Sequence, residues 1–187
     1  KADSKLIRAC NYFENSDYKI PWKWMKYLNK DWKNLLVIHL MASSWMKDMC
    51  YNPFLKLQEI LKNIDTEKLD WIIVDFHKEY TSEIYWMAFA FDWKISFCYW
   101  THTHIQSNDE IILDNWTAVM NDLWMSWSQY SVIWADFKSV EQRFFTWINR
   151  WKINQSLDSR YVVNWAFVEI DNFKCSKIEK IKIIWNL

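Results

Sequence analysis

The chain has 187 residues, with Lys plus Arg and Asp plus Glu balanced at 23 each, so no net charge steers it toward nucleic acid or an anionic membrane. No apolar run reaches the roughly 18 residues of a membrane span, and no basic-then-apolar start reads as a signal peptide. Cys10, Cys50, Cys98 and Cys175 are isolated in sequence, which predicts reduced thiols in a cytoplasmic protein rather than a disulfide frame or a zinc site.

In chain order, short β-branched runs alternate with longer helical patterns, which predicts an α/β domain. The segment "NLLVIHLMA" (34–42) reads as a buried strand. In "PFLKLQEILKNI" (53–64), Phe54, Leu57, Ile60, Leu61 and Ile64 fall on one helical face, with Pro53 at the first turn. "WIIVDFH" (71–77) is the next strand, "TSEIYWMAFAF" (81–91) a helix and "KISFCYW" (94–100) a third strand. "EIILDNWTAVMND" (110–122) reads as a hairpin, and "DFKSVEQRFFTWI" (136–148) as a helix capped by Asp136. "RYVVNWAFVEID" and "SKIEKIKIIW" close the chain as an antiparallel pair. No repeat or linker interrupts the series, so 1–187 is expected to be a single domain.

The composition is anomalous in one respect. There are 16 Trp and no Gly, where ordinary usage of about 7% would supply roughly 13 Gly. Asp31-Trp32, Asp70-Trp71, Asp92-Trp93, Asn115-Trp116 and Asn164-Trp165 all put Trp behind Asp or Asn. Asp-Gly and Asn-Gly are the strongest short hairpin signals, because a type I′ turn needs φ > 0 at both central residues. The expectation is that most or all Trp positions are ancestral Gly, as when a codon read as Gly by the source organism is translated as Trp. The competing expectation is an aromatic-rich sugar or interface binder whose indoles form platforms, which leaves the total absence of Gly unexplained.

The chemistry is expected where strands end. His77 closes one strand, and His102 and His104 follow the next; in open α/β sheets ligands bind at the carboxyl ends of strands. In extended backbone, residues i and i+2 project to one side, so "HTH" can aim two imidazoles together, and imidazole suits Zn, Fe and related metals. His39, inside "LLVIHLM", reads as a hydrogen-bonded sheet residue. Asp75, Glu79, Glu83, Asp109 and Asp122 are candidate ligands or acids that equally suit caps and solvated charges. Cys98 beside the histidines allows thiol chemistry, but nothing in the sequence gives it a depressed pKa.

Read with Gly for Trp, several segments form an ordered series: D-F-H-x-E-x-T-S-E at Asp75 to Glu83, G-T-H-T-H at Trp100 to His104, the turn at Asn115-Trp116, D-x-G-M-[ST]-G at Asp122 to Trp127, and S-V-I-G at Ser131 to Trp134. This series resembles the metal-binding half of a bacterial family in the calcineurin-like metallophosphoesterase superfamily, the YmdB-type phosphodiesterases. The resemblance implies a four-layer α/β/β/α sandwich with its N-terminal part missing. It also implies two divalent metal ions (Fe, Mn or Zn) that activate water to hydrolyse phosphodiesters such as 2′,3′-cyclic nucleotides. Carried over by residue, His77 and His102 correspond to ligands of one metal and His104 to a ligand of the other. The family's N-terminal motifs, which supply an Asp, a Glu, two Asn and a catalytic His, have no counterpart before "LIRACNYF". The chain is therefore expected to lack the bridging carboxylate and the general acid, and its start at Lys1 rather than Met points to a fragment.

Three function classes follow: a metal-dependent phosphodiesterase, a non-catalytic remnant or binding module of the same fold, and the aromatic-rich binder. The partner expected of the first is a phosphodiester or cyclic-nucleotide substrate. A homo-oligomer is compatible with all three, a membrane is not expected, and a nucleic-acid partner is unsupported.

Overall fold

The computed structural model describes residues 6–12, 25–42, 50–148 and 152–186. Two sheets carry the fold. The larger has six strands in the order β1-β2-β3-β4-β6-β5, formed by β1 (Met25–Lys30), β2 (Lys33–Met41), β3 (Trp71–His77), β4 (Phe97–Tyr99), β5 (Ile111–Ile112) and β6 (Ala118–Met120). Its four central strands β2, β3, β4 and β6 are mutually parallel, and β1 and β5 add antiparallel edges.

Parallel strands need both faces covered, and the strict alternation of β2 and β3 supplies the residues. Leu36, Ile38 and Leu40 share one face with Ile72, Val74 and Phe76, all fully buried. They pack against Leu57 and Ile60 of α1 (Pro53–Asn63) and Ile84, Met87 and Ala88 of α2 (Thr81–Ala90). On the opposite face Phe97, Ala118 and Met120 meet Cys175, Ala166, Val168, Ile170 and Ile178. Those partners belong to the second, antiparallel sheet of β7 (Ser126–Ser128), β8 (Arg160–Asp171) and β9 (Lys174–Asn186). Helices, large sheet and small sheet are thus stacked in that order. A further helix, α3 (Phe137–Thr146), buries only Val140.

The helix starts follow the expected chemistry. The Asn52 side chain accepts from Phe54 N and Leu55 N at 2.9 and 3.1 Å, with Pro53 next to it, and Asp136 accepts from Ser139 N at 2.9 Å. The carboxylate of Glu83 accepts from the backbone of Tyr80 at 3.0 Å and of Glu79 at 3.3 Å, so this candidate ligand serves as the cap of α2.

Several expectations need correction. The third strand is only Phe97–Tyr99 rather than 94–100, because Lys94 and Ile95 still donate to Phe91 O in the turn that closes α2. Asp70-Trp71 and Asn164-Trp165 are not left-handed turns: Trp71 opens β3 and Trp165 lies inside β8. The other three pairs are turns, with φ of 65° at Trp32, 68° at Trp93 and 77° at Trp116. Strands β1 and β7 were not foreseen; β1 is mostly exposed and β7 has three residues, so neither carries a readable period.

Candidate metal centre

The parallel order of β3, β4 and β6 brings three strand ends side by side. β3 ends on His77, β4 leads into Trp100-Thr101-His102-Thr103-His104, and β6 leads into Asp122. The rings of His77 and His102 meet edge to face, 5.2 Å apart and 80° inclined. The Nε2 of His102 also lies 3.2 Å from the Glu79 carboxylate. Burial, and after it the charge of His102, holds the His77 pKa below its ordinary value, which favours the neutral imidazole that a metal requires.

The loop that carries the two later histidines is held by a carboxylate. Asp122 is 1% exposed, and its Oδ2 accepts from His102 N at 3.0 Å, Thr103 N at 2.6 Å and Thr103 Oγ1 at 2.6 Å. Its own N–H donates to Ser107 Oγ at 2.8 Å, and Ser107 donates to Asp109 at 2.5 Å. Asp109 also accepts from the Tyr85 hydroxyl at 2.8 Å and from Asn121 N at 3.1 Å. Gln106 extends the brace to the small sheet by donating to Trp165 O at 2.8 Å. Asp109 and Asp122, both candidate ligands or acids by sequence, are therefore occupied as loop anchors. A carboxylate after a short strand is too common a pattern to have revealed that role.

His104 sits differently from its neighbour. Its backbone is left-handed, φ 66°, so the extended-backbone reason for pairing it with His102 does not hold. Its ring packs 5.1 Å from Trp127, and its Nδ1 is buried without a hydrogen-bond partner. His39 is a sheet residue: Nδ1 lies 3.0 Å from Asp75 O and 3.3 Å from the Asp75 carboxylate. Cys98 is wholly buried, and burial pushes its thiol pKa far up, which rules it out as a ready nucleophile.

Behind the histidines, Trp100 is 1% exposed and stacks on His102 with centroids 4.7 Å apart. The ammonium of Lys78, itself 2% exposed, lies 3.4 Å from the indole centroid. Neither Lys78 Nζ nor Trp100 Nε1 has a hydrogen-bond partner. Burial pulls the Lys78 pKa down to about 8, against the raising charges of Glu83, Asp122 and Asp109.

The histidines fit part of a metal centre. Two imidazoles converge and a third presents an unpartnered buried nitrogen, yet among the described residues no group of three or more His, Cys, Asp or Glu could hold a metal ion. Asp75 Oδ1 and Asp122 Oδ1 are likewise buried without partners.

Comparison with known proteins gives the family and the fold. The family described as YmdB-like protein matches residues 1–181. A Bacillus subtilis protein named 2′,3′-cyclic-nucleotide 2′-phosphodiesterase is 29% identical over 181 residues, 95% of this chain and 65% of its own length. The crystal structure of a phosphatase from Mycoplasma pneumoniae superposes with a TM-score of 0.83 at 27% identity, over 98% of this chain and 65% of that one. A Thermus thermophilus protein described as hypothetical gives 0.83 at 22%, over 96% and 67%. The chain thus spans about two thirds of the length of these relatives, and it has the α/β metallophosphoesterase fold. Among the described residues no helix is long and apolar enough to cross a membrane.

Proposed function

We propose, from the premise that this chain belongs to the YmdB-like family, that it is a metal-dependent phosphodiesterase in which His77, His102 and His104 hold divalent metal (Fe, Mn or Zn). The substrate class we propose is 2′,3′-cyclic nucleotides, and the name of the Bacillus subtilis relative supports it. The observation that carries the reading is the meeting of His77 and His102 at 5.2 Å on adjacent parallel strand ends. Divalent metal bound there supplies a Lewis acid for phosphoryl oxygens and lowers the pKa of water. The chain's own residues prepare the site. Burial lowers the His77 pKa and so favours its neutral ring, and Asp122 fixes the backbone that carries His102 without touching its ring. Glu79 orients His102 through Nε2, as outer carboxylates do for ligating imidazoles. Four buried free thiols support a reducing, cytoplasmic setting.

The test is hydrolysis of 2′,3′-cyclic AMP with Mn²⁺ by the full-length protein that the whole gene encodes. The expected result is turnover that a chelator abolishes and that His77→Ala or His104→Ala lowers on the order of 100-fold. Turnover indifferent to chelator and to both substitutions contradicts the proposal. Saturable Mn²⁺ binding with no hydrolysis would instead support a non-catalytic binding module of the same fold.

A further inference from the structure

We propose that the tryptophans of this chain stand at glycine positions, and that the protein translated in its source organism carries glycine there. The backbone makes the case. Ten residues among those described have positive φ, and five are Trp: Trp32 (65°), Trp93 (68°), Trp116 (77°), Trp134 (131°) and Trp147 (57°). Of the other five, Asp31, Asn172 and His104 are types that tolerate the left-handed region, leaving Ile133 and Phe173. Trp is under a tenth of the chain, 16 of 187 residues, yet it is half of this set.

Each place is one where folds use Gly for a stated reason. Trp32 is the second turn residue of the hairpin between β1 and β2, behind Asp31 at φ 50°, the Asp-Gly position of a type I′ turn. Trp116 (φ 77°) follows Asp114 and Asn115 in the three-residue loop between β5 and β6, with its N–H donating to Leu113 O at 2.9 Å, the left-handed position after a type I turn that Gly usually fills. Trp147 ends α3 with its N–H donating to Arg143 O at 2.8 Å, the left-handed helix stop where Gly is the usual residue. Trp93 follows the end of α2. Trp134, at φ 131°, lies in a region that side chains with a Cβ avoid.

Packing does not offset this cost. Trp32 is 94% exposed and Trp147 86%, and Trp93 and Trp116 are exposed as well. Their indoles offer little beyond distant cations, Lys94 at 5.3 Å from Trp93 and Lys174 at 5.6 Å from Trp116. Trp100 errs in the other direction. It is buried, but its Nε1 faces no acceptor and its ring lies under a buried, unpartnered ammonium. Trp71, whose Nε1 donates to Ile170 O at 3.1 Å, is satisfied, so the geometry argues for the six positions 32, 93, 100, 116, 134 and 147. The complete absence of Gly extends the inference to all 16.

The inference does not depend on the proposed activity, and its tests use none. In the gene, all 16 positions are expected to carry one codon other than UGG; UGG at the six named positions overturns the inference. In the expressed chain, two sets of substitutions at Trp32, Trp93, Trp116, Trp134 and Trp147 are compared by thermal melting. Ala removes the indole, whereas Gly also removes the Cβ. The all-Gly variant is expected to melt about 10 °C or more above the all-Ala variant. Equal melting of the two sets overturns the backbone argument. Peptide masses of the protein isolated from its source organism close the question: glycine masses support the inference, and tryptophan masses overturn it.

Discussion

Asp92 and Asp122 stand at opposite ends of the same strand pair, β4 and β6, and pin the loops there by the same device. At the amino ends, Asp92 uses both oxygens. Oδ1 accepts from Trp93 N at 3.0 Å and Thr117 N at 3.1 Å, and Oδ2 from Asn115 N at 3.0 Å and Asn115 Nδ2 at 3.1 Å. At the carboxyl ends, Asp122 accepts three bonds on Oδ2 and none on its buried Oδ1. His104 Nδ1, Lys78 Nζ and Asp75 Oδ1 share that condition. Buried polar groups are normally paired, and each exception calls for an explanation. The satisfied end is architecture, and the unsatisfied end is the candidate site.

The largest effect is expected from breaking the anchor at the site. Asp122→Ala removes three charge-assisted bonds and is expected to cost about 3 kcal/mol in denaturant unfolding and to weaken Mn²⁺ binding by about 10- to 100-fold. Asp92→Ala is expected to cost a similar stability while leaving Mn²⁺ affinity unchanged. If both variants lose metal equally, the two ends are not functionally distinct.

Trp100→Gly probes the carboxyl-end site from within. A well-packed buried Trp replaced by a small residue costs about 3–5 kcal/mol. Because the Nε1 of this indole has no acceptor, the expected loss is below that full cavity cost even though Lys78 loses its ring contact, with tighter Mn²⁺ binding at His102. A full cavity cost in the melt would make Trp100 an ordinary core residue.

Much of this architecture was legible in the sequence, and the exceptions have physical causes. β3 matched its expected span because every second residue is buried and polar groups bound the run. The helix at Pro53 was readable from its cap and its single apolar face. β4 was overextended because "KIS" looks like strand while its backbone still closes the α2 turn. The histidines were found by residue type and by strand-end position. Asp122 acts through backbone N–H groups twenty residues away in sequence, and no local pattern encodes such a contact. Of five Asp-Trp and Asn-Trp pairs, three are left-handed turns, while Trp71 and Trp165 are held in strands by their ladder partners.

Two pH effects sharpen the comparison further. Burial alone would raise the Asp92 pKa, but the bonds from Asn115 and Thr117 outweigh it and lower the value below 3.8. Its contribution is therefore present above the unfolded value and lost as pH falls through the folded one. Asp92→Asn is expected to be less stable by about 2 kcal/mol at neutral pH, with the gap closing in acid. The smallest effect belongs to His39, where burial lowers the pKa but the hydrogen bond and charge of Asp75 raise it above 6.5 overall. That stabilisation is complete below the unfolded value and lost as pH rises through the folded one. His39→Asn is expected to flatten the decline of stability with rising pH seen by denaturant titration.

Whether the histidines at the carboxyl ends hold metal is decided by the nitrogen couplings of bound Mn²⁺ in pulsed electron paramagnetic resonance. Imidazole couplings are expected to diminish in each of His77→Ala, His102→Ala and His104→Ala and to persist in His39→Asn and Asp92→Ala. Mn²⁺ bound without imidazole coupling, or with coupling unchanged in all three histidine variants, would contradict metal binding by these histidines.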